Sequence, residues 1–186
     1  MTPEANRIWE ALAQLGVLHL NSSSSFPNVA DIGGSWAGIM ELVEARYAFV
    51  SRLVNGKTTY LSPEMYWAVR TLLGQDRTPR GEEQERLYIL VESGPLESSE
   101  WRRLAGVERR TFNEALQGLQ EQFLVTVLQR GRHLTANWDS YVWGRTENWE
   151  RDCPITSGSL SVAEAVQLVE SHLSPLMSRT RLRRLL

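Results

Sequence analysis

A chain of 186 residues with 42% hydrophobic and 23% charged residues has an ordinary globular composition, long enough for one compact domain or two small ones sharing an interface. A formal net charge of −2 excludes binding to nucleic acid by bulk charge and confines any such binding to local patches. There is no apolar run of membrane-spanning length, MTPEANRIWEAL has no signal-type apolar core, and Cys153 is the single cysteine; these features predict a cytoplasmic protein with no membrane span, no disulfide framework and no cysteine-based zinc site.

Thr2-Pro3-Glu4 reads as a helix start, with a cap, a proline at the first position and an acid at the positive end of the dipole. Ile8, Trp9, Leu12 and Leu15 follow at helical spacing, and Gly16 ends the run. Val17–Leu20 reads as a short strand, Asn21–Asn28 as a polar loop, and Trp36–Ala45 as a second helix. Tyr47–Val54 and Thr58–Leu61 form a predicted hairpin around the type I′ signal Asn55-Gly56. Ser62-Pro63-Glu64 opens a helix that should bury Met65, Val69, Leu72 and Trp67 before Gly74. Gln75–Gly81 is polar and marks the boundary between two halves.

The second half starts with an acidic helix over Glu82–Ser93, broken by Gly94-Pro95. Ser98 or Ser99 is expected to cap the next helix, which runs to Ala105, with a turn at Gly106. Residues 108–121 form a third helix. Phe123–Leu128 reads as a strand, Gln129–Arg132 as a tight wing and His133–Trp138 as the returning strand; Asp139 or Ser140 then caps a helix through Trp149. Ser161 with Glu164 forms a capping box for a helix to about His172. Its stripe of Val162, Ala165, Val166 and Val169 must pack on something.

This order predicts a mainly α protein with small β hairpins, an α+β fold built on winged helix-turn-helix modules. A degenerate first module covers residues 1–75, a clearer one covers 82–150, and 151–186 form a C-terminal helical extension. In 108–121 the apolar stripe is Phe112, Ala115, Leu116 and Leu119. The opposite face offers Arg109, Arg110, Asn113, Gln117 and Gln120, side chains suited to base edges or phosphates in a major groove. Arg102 and Arg103 would grip phosphates from the preceding helix, and Arg130 and Arg132 from the wing. A second basic patch is the tail, with Arg179, Arg181, Arg183 and Arg184. Against this, Glu100, Glu108, Glu114 and Glu121 leave Ser98–His133 only slightly basic, and any solvated helix carries a polar face.

Three segments carry a resemblance: RYAFVSRLVNGKTTYLSPEMYWAVRTLLG, GPLESSEWRRLAGVERRTFNEALQGLQEQFLVTVLQRG and WDSYVWGRTENWE. Together they span just over half of the chain and leave out residues 1–45 and 154–186. In pattern and order they resemble the winged-helix proteins related to the AlkZ/YcaQ DNA glycosylases, especially their short relatives. The glycosylases of that family remove alkylated or crosslinked purines and depend on a Gln-x-Gln or Gln-x-Asp motif near the N-terminal part of the fold. Here Gln120-Glu121-Gln122 is the sole Gln-x-Gln, and it ends the third helix of the module, so no catalytic role passes to it. The resemblance implies a DNA-related winged helix more than glycosylase activity.

Other chemistry is weakly signalled. His19, His133 and His172 stand far apart without metal-ligand spacing, and no metal or cofactor is expected. Trp138, Tyr141, Trp143 and Trp149 read as core between the halves rather than as a base-stacking platform. The expected function is non-enzymatic binding of duplex DNA. The alternatives are a glycosylase-like repair enzyme with its catalytic residue unidentified, and a winged helix that contacts a protein partner or a second copy.

Overall fold

Thr2, Ser62 and Ser161 each cap a helix. Their side-chain oxygens accept from the backbone N–H of Ala5, Met65 and Glu164 at 3.2, 3.2 and 3.3 Å, and Glu164 reaches back to Ser161 to complete the capping box. In a computed structural model, residues 1–20, 26–54, 56–74, 77–135, 138–156 and 160–176 are described. They form eight helices and two three-stranded antiparallel sheets. The architecture is α+β. No helix among the described residues is long and apolar enough to cross a membrane. The Arg-rich tail lies outside the described residues.

The first half runs α1 (Pro3–Leu15), β1 (Val17–His19), α2 (Trp36–Glu44), β2 (Phe49–Ser51), β3 (Thr59–Leu61) and α3 (Pro63–Leu73). The second runs α4 (Glu82–Leu90), β4 (Leu96–Glu97), α5 (Ser98–Ala105), α6 (Arg109–Glu121), β5 (Val125–Thr135), β6 (Trp138–Arg145) and α7 (Thr146–Asp152), followed by α8 (Val162–Leu173). The sheets have the orders β1-β3-β2 and β4-β6-β5, so in each the third strand lies between the other two.

Several boundaries differ from the sequence reading. The β2–β3 ladder stops at Ser51 opposite Thr59. The turn at Gly56, closed by Lys57 N–H to Val54 O at 3.0 Å, therefore sits at the end of a longer loop rather than a two-residue connection; Asn55 lies outside the described residues. Gln129–Arg132 is not a wing turn. It lies inside β5, whose pairing with β6 continues to Thr135 opposite Trp138. Gly131 misled because a glycine between two arginines reads as a turn. Its real role is close approach: a Cβ there would run into Ser140 Oγ and the Glu97 side chain. Asp139 and Ser140 cap no helix but belong to β6, and the helix through Trp149 starts only at Thr146. Neither Ser98 nor Ser99 caps α5, whose N-cap is Glu97 without a side-chain bond; Ser98 Oγ instead donates to Tyr141 O at 3.1 Å and accepts from Trp143 Nε1 at 2.9 Å. Leu72 and Trp67 are only half-buried, whereas Tyr66 is fully buried.

Both hydrophobic clusters draw on both halves. One combines Ile8, Leu12, Ile39 and Tyr60 with Trp101, Phe112, Leu119 and Trp143. The other stacks Phe49 and Tyr66 on Phe123 and Trp149, with ring centroids 4.4–5.8 Å apart. The α8 stripe also finds its partner within the chain. Ala165, Val169 and Leu173 are buried, and the helix packs on α3, while Val162 stays 62% exposed.

The two sheets meet at one buried hydroxyl. Thr126 Oγ1 on β5 donates to Val50 O at 2.9 Å and accepts from Val50 N–H at 3.2 Å, so a side chain serves the β2 backbone as a strand partner would. Arg46, with φ +64°, adds a second tie, donating to Val43 O, Glu44 O and Leu128 O. Thr126→Val keeps the shape but strands a buried N–H and C=O. We expect a loss of about 2 kcal/mol, read as a lowered urea midpoint with an unchanged m-value. An unchanged midpoint would remove Thr126 from the seam's energetics.

Candidate nucleic-acid interface

α5 buries Trp101 and Ala105. The Trp101 indole donates to Leu87 O at 3.0 Å and meets Phe112 edge-on, with centroids 5.5 Å apart. That leaves Arg103 and Leu104 exposed and Arg102 half-buried in the last turn, where cations suit the negative end of the helix dipole. Gly106, in the left-handed region at φ +64°, turns the chain into α6.

Among the helices of the described residues, α6 alone starts with neither a capping side chain nor a first-turn acid. α1, α3 and α8 each have a capping side chain and an acid in the first turn. α6 has no acid in its first turn, and its N-cap, Glu108, makes no side-chain cap bond. Arg109 and Arg110 fill the first two positions, placing cations at the positive end of the dipole. Each of these choices costs the helix roughly 0.3–1 kcal/mol, and rule-breaking of this kind is expected where function requires it. Among the described residues, the side chains of Arg102, Arg103 and Arg109 make no ion pair or hydrogen bond.

Further along α6 the charge reverses. Arg110, Asn113, Glu114 and Glu121 are exposed, and Gln117 is half-buried on the same side. Arg110 Nε pairs with Glu114 Oε1 at 2.8 Å, which raises the Arg110 pKa, and Gln117 Nε2 donates to Glu121 Oε1 at 2.9 Å. Gln120 does not join that face. It lies one turn beyond Leu116 and is buried. Gln122 is also occupied, donating to Gln84 Oε1 at 2.7 Å and to Gly118 O at 2.9 Å, so Gln120-Glu121-Gln122 presents no paired amides to a ligand.

The structure does not bring Arg130 and Arg132 to the α5–α6 corner as uncommitted cations. Arg130 clasps Glu44 of α2 through both carboxylate oxygens at 2.9 and 2.8 Å, and its N–H adds a third bond at 3.0 Å. That clasp holds the Glu44 pKa below its ordinary value and the Arg130 pKa above. Arg132 donates to Ser99 Oγ at 3.0 Å and lies 3.8 Å from Glu97. β5 has 11 residues against 8 in β6, and its register slips near Gln129 and between Arg130 and His133. Such bulges re-aim side chains.

Of the aromatic group, Trp149 is fully buried and donates to Ala48 O at 3.3 Å, and Trp143 is buried. Trp138 alone is well exposed, at 42%, with its ring 5.5 Å from that of Trp36. Together with His133, which lies 2.7 Å from Asp139, these two rings border a shallow cleft of about 330 Å3. His19 is buried against Phe26, and no group of three or more metal-ligating side chains occurs among the described residues. Sequence reasoning missed Glu44, which no local signal connects to Arg130 86 positions away. It also missed the Arg52–Thr58 loop, whose only signal is a local lack of acids.

The chain is thus an α+β protein in which an arginine-bearing helix corner lies outside a core shared by two like-ordered sheets. A family model described as "AlkZ related" matches residues 33–186, and the chain belongs to this AlkZ-related family. The match takes in residues 154–186, which the resemblance in the sequence had left out. No curated protein and no solved structure matches significantly.

The Arg130–Glu44 clasp has a pH signature. Because the Glu44 pKa is depressed by folding, its contribution is complete above the ordinary glutamate value of about 4.3 and is lost as the pH falls through the folded value. The stability gap between the protein and Glu44→Gln should therefore be constant above about pH 5 and narrow as the pH falls below about 4. Urea melts that give a constant gap would dissociate the clasp from stability.

Proposed function

We propose that the protein binds duplex DNA through a winged helix-turn-helix over residues 82–150. The order α4–β4–α5–α6–β5–β6, with β6 between β4 and β5, supports that reading. The first sheet has the same order, which supports reading residues 1–75 as a reduced copy of the same unit. A cytoplasmic setting suits the buried free thiol of Cys153.

The observation that carries the proposal is the start of α6, where Arg109 and Arg110 stand without a cap or a first-turn acid, beside Arg102 and Arg103. An uncapped helix start presents N–H groups to an anion, and the arginines add charge to match. In this reading Arg102, Arg103 and Arg109 hold phosphates, Asn113 and Gln117 face the groove, and Arg110 joins by exchanging Glu114 for a phosphate. Arg130 and Arg132 contribute less, since both are engaged by carboxylates. Glu114 and Glu121 on the same face favour a second reading, in which α6 contacts a protein. Base excision rests on the family relation alone; release of alkylated purines from duplex DNA would establish it.

Fluorescence anisotropy with a labelled duplex tests the proposal. At about 50 mM salt binding should be measurable, and Arg109→Glu plus Arg110→Glu should weaken it at least tenfold while leaving the circular dichroism intact. The slope of log affinity against log salt should fall by about 1 for each phosphate contact removed. Absence of binding at that salt rejects DNA in favour of the protein-contact reading.

A further inference from the structure

Lys57 is the chain's only lysine, and no acid occurs in Ala11–Ala30 or in Ala45–Pro63. The fold brings these two acid-free stretches together, because β1 pairs with β3 and His19 lies opposite Thr59. Beside this pairing is a cleft of about 370 Å3 lined by His19, Leu20, Arg52, Gly56, Lys57 and Thr58, with no carboxylate among these residues. Arg52 is half-buried, and its guanidinium is fixed by donation from Nη1 to Gly56 O at 2.9 Å. Neither Arg52 nor Lys57 makes an ion pair among the described residues. His19 forms the inner wall, its ring flat against Phe26 at 4.4 Å. Burial, and then the nearby Lys57 charge, lower its pKa, so the imidazole is kept neutral and the cleft's charge is that of Arg52 and Lys57.

Two cations line this cleft and none of its lining residues is a carboxylate, so an anion that enters it meets positive charge without a competing acid in the wall. We propose that this cleft binds a phosphate group, with the Arg52 guanidinium and the Lys57 ammonium as charged donors and Thr58 as a neutral partner. A guanidinium fork matches two phosphate oxygens. A cleft of about 370 Å3 has room for a phosphate group. The phosphate can belong to a DNA backbone or to a free phosphate compound. The loop stands against α6 at Gln117, since a Cβ on Gly56 would lie 3.2 Å from Gln117 Nε2. The inference goes beyond the α5–α6 reading and does not depend on it, since the cleft's charge stands apart from that corner.

Lys57 and the N-terminus are the chain's only primary amines. Reductive methylation with 13C therefore yields two NMR signals, both still charged. With inorganic phosphate, titrated against chloride at constant ionic strength, the Lys57 signal should shift saturably and the N-terminal signal should not. Arg52→Gln should weaken the response at least tenfold. Lys57→Gln, a change at an exposed loop residue, provides a second variant, in which the Leu20 and Thr58 amide signals should lose their response. A short duplex that displaces phosphate from Lys57 assigns the site to DNA; a phosphate shift that the duplex leaves untouched assigns it to a free phosphate compound. No saturable shift with either probe, or an equal shift in Arg52→Gln and in the parent, overturns the proposal. Arg103→Glu plus Arg109→Glu separates the two readings: the phosphate response at Lys57 persists there even if duplex binding proves independent of the α5–α6 corner.

Discussion

A threonine hydroxyl joins the two halves of this protein. β2 and β5 never form a ladder, yet the buried backbone of Val50 needs a donor and an acceptor, and Thr126 supplies both. Around that exchange lie Phe49, Tyr66, Phe123 and Trp149, whose rings come from both halves and close on one another. Arg46 and the Arg130–Glu44 clasp reinforce the same line from the surface inward. Along that line β5 turns Arg130 to Glu44 of α2, whereas Arg132 is engaged by Ser99 and Glu97.

The corner itself is set apart by what it lacks. Every other helix among the described residues begins with a capping oxygen or a first-turn acid, and α6 begins with neither but with two arginines. In a protein with a net charge of −2, three arginines without a partner among the described residues at one corner, Arg102, Arg103 and Arg109, are informative in a way that overall charge is not. The acids of α6 lie further along the helix and are engaged by Arg110 and Gln117, so its exposed face is divided along the axis, basic at the start and acidic towards the end. A ligand approaching α6 meets a gradient rather than a uniform patch.

Local signals predicted local structure well. Thr2-Pro3, Ser62-Pro63 and the Ser161–Glu164 box mark helix starts because the groups that satisfy one another are three residues apart. Prediction failed where a residue's partner is distant. Ser98 has a cap's chemistry, but Trp143 and Tyr141 claim its hydroxyl. Gly131 has the composition of a turn, but it is needed where β5 passes close to Ser140 and Glu97. Asp139 and Ser140 resemble a helix start, yet pairing with β5 holds them in a strand. For the candidate site, the helices and their arginines were legible, whereas the engagement of Arg130 by Glu44, and the convergence of two acid-free stretches on one cleft, exist only in the folded chain.

The shared aromatic stack also determines how the molecule comes apart. Phe49 and Tyr66 lose part of their apolar cover without Phe123 and Trp149, and the converse is equally true. Neither half closes its core alone, since both clusters take residues from each, and the two sheets, alike in strand order, are expected to unfold as one cooperative unit. Unfolding of either half exposes large aromatic faces of the other, and an opened intermediate would be a sticky, short-lived species rather than a resting state.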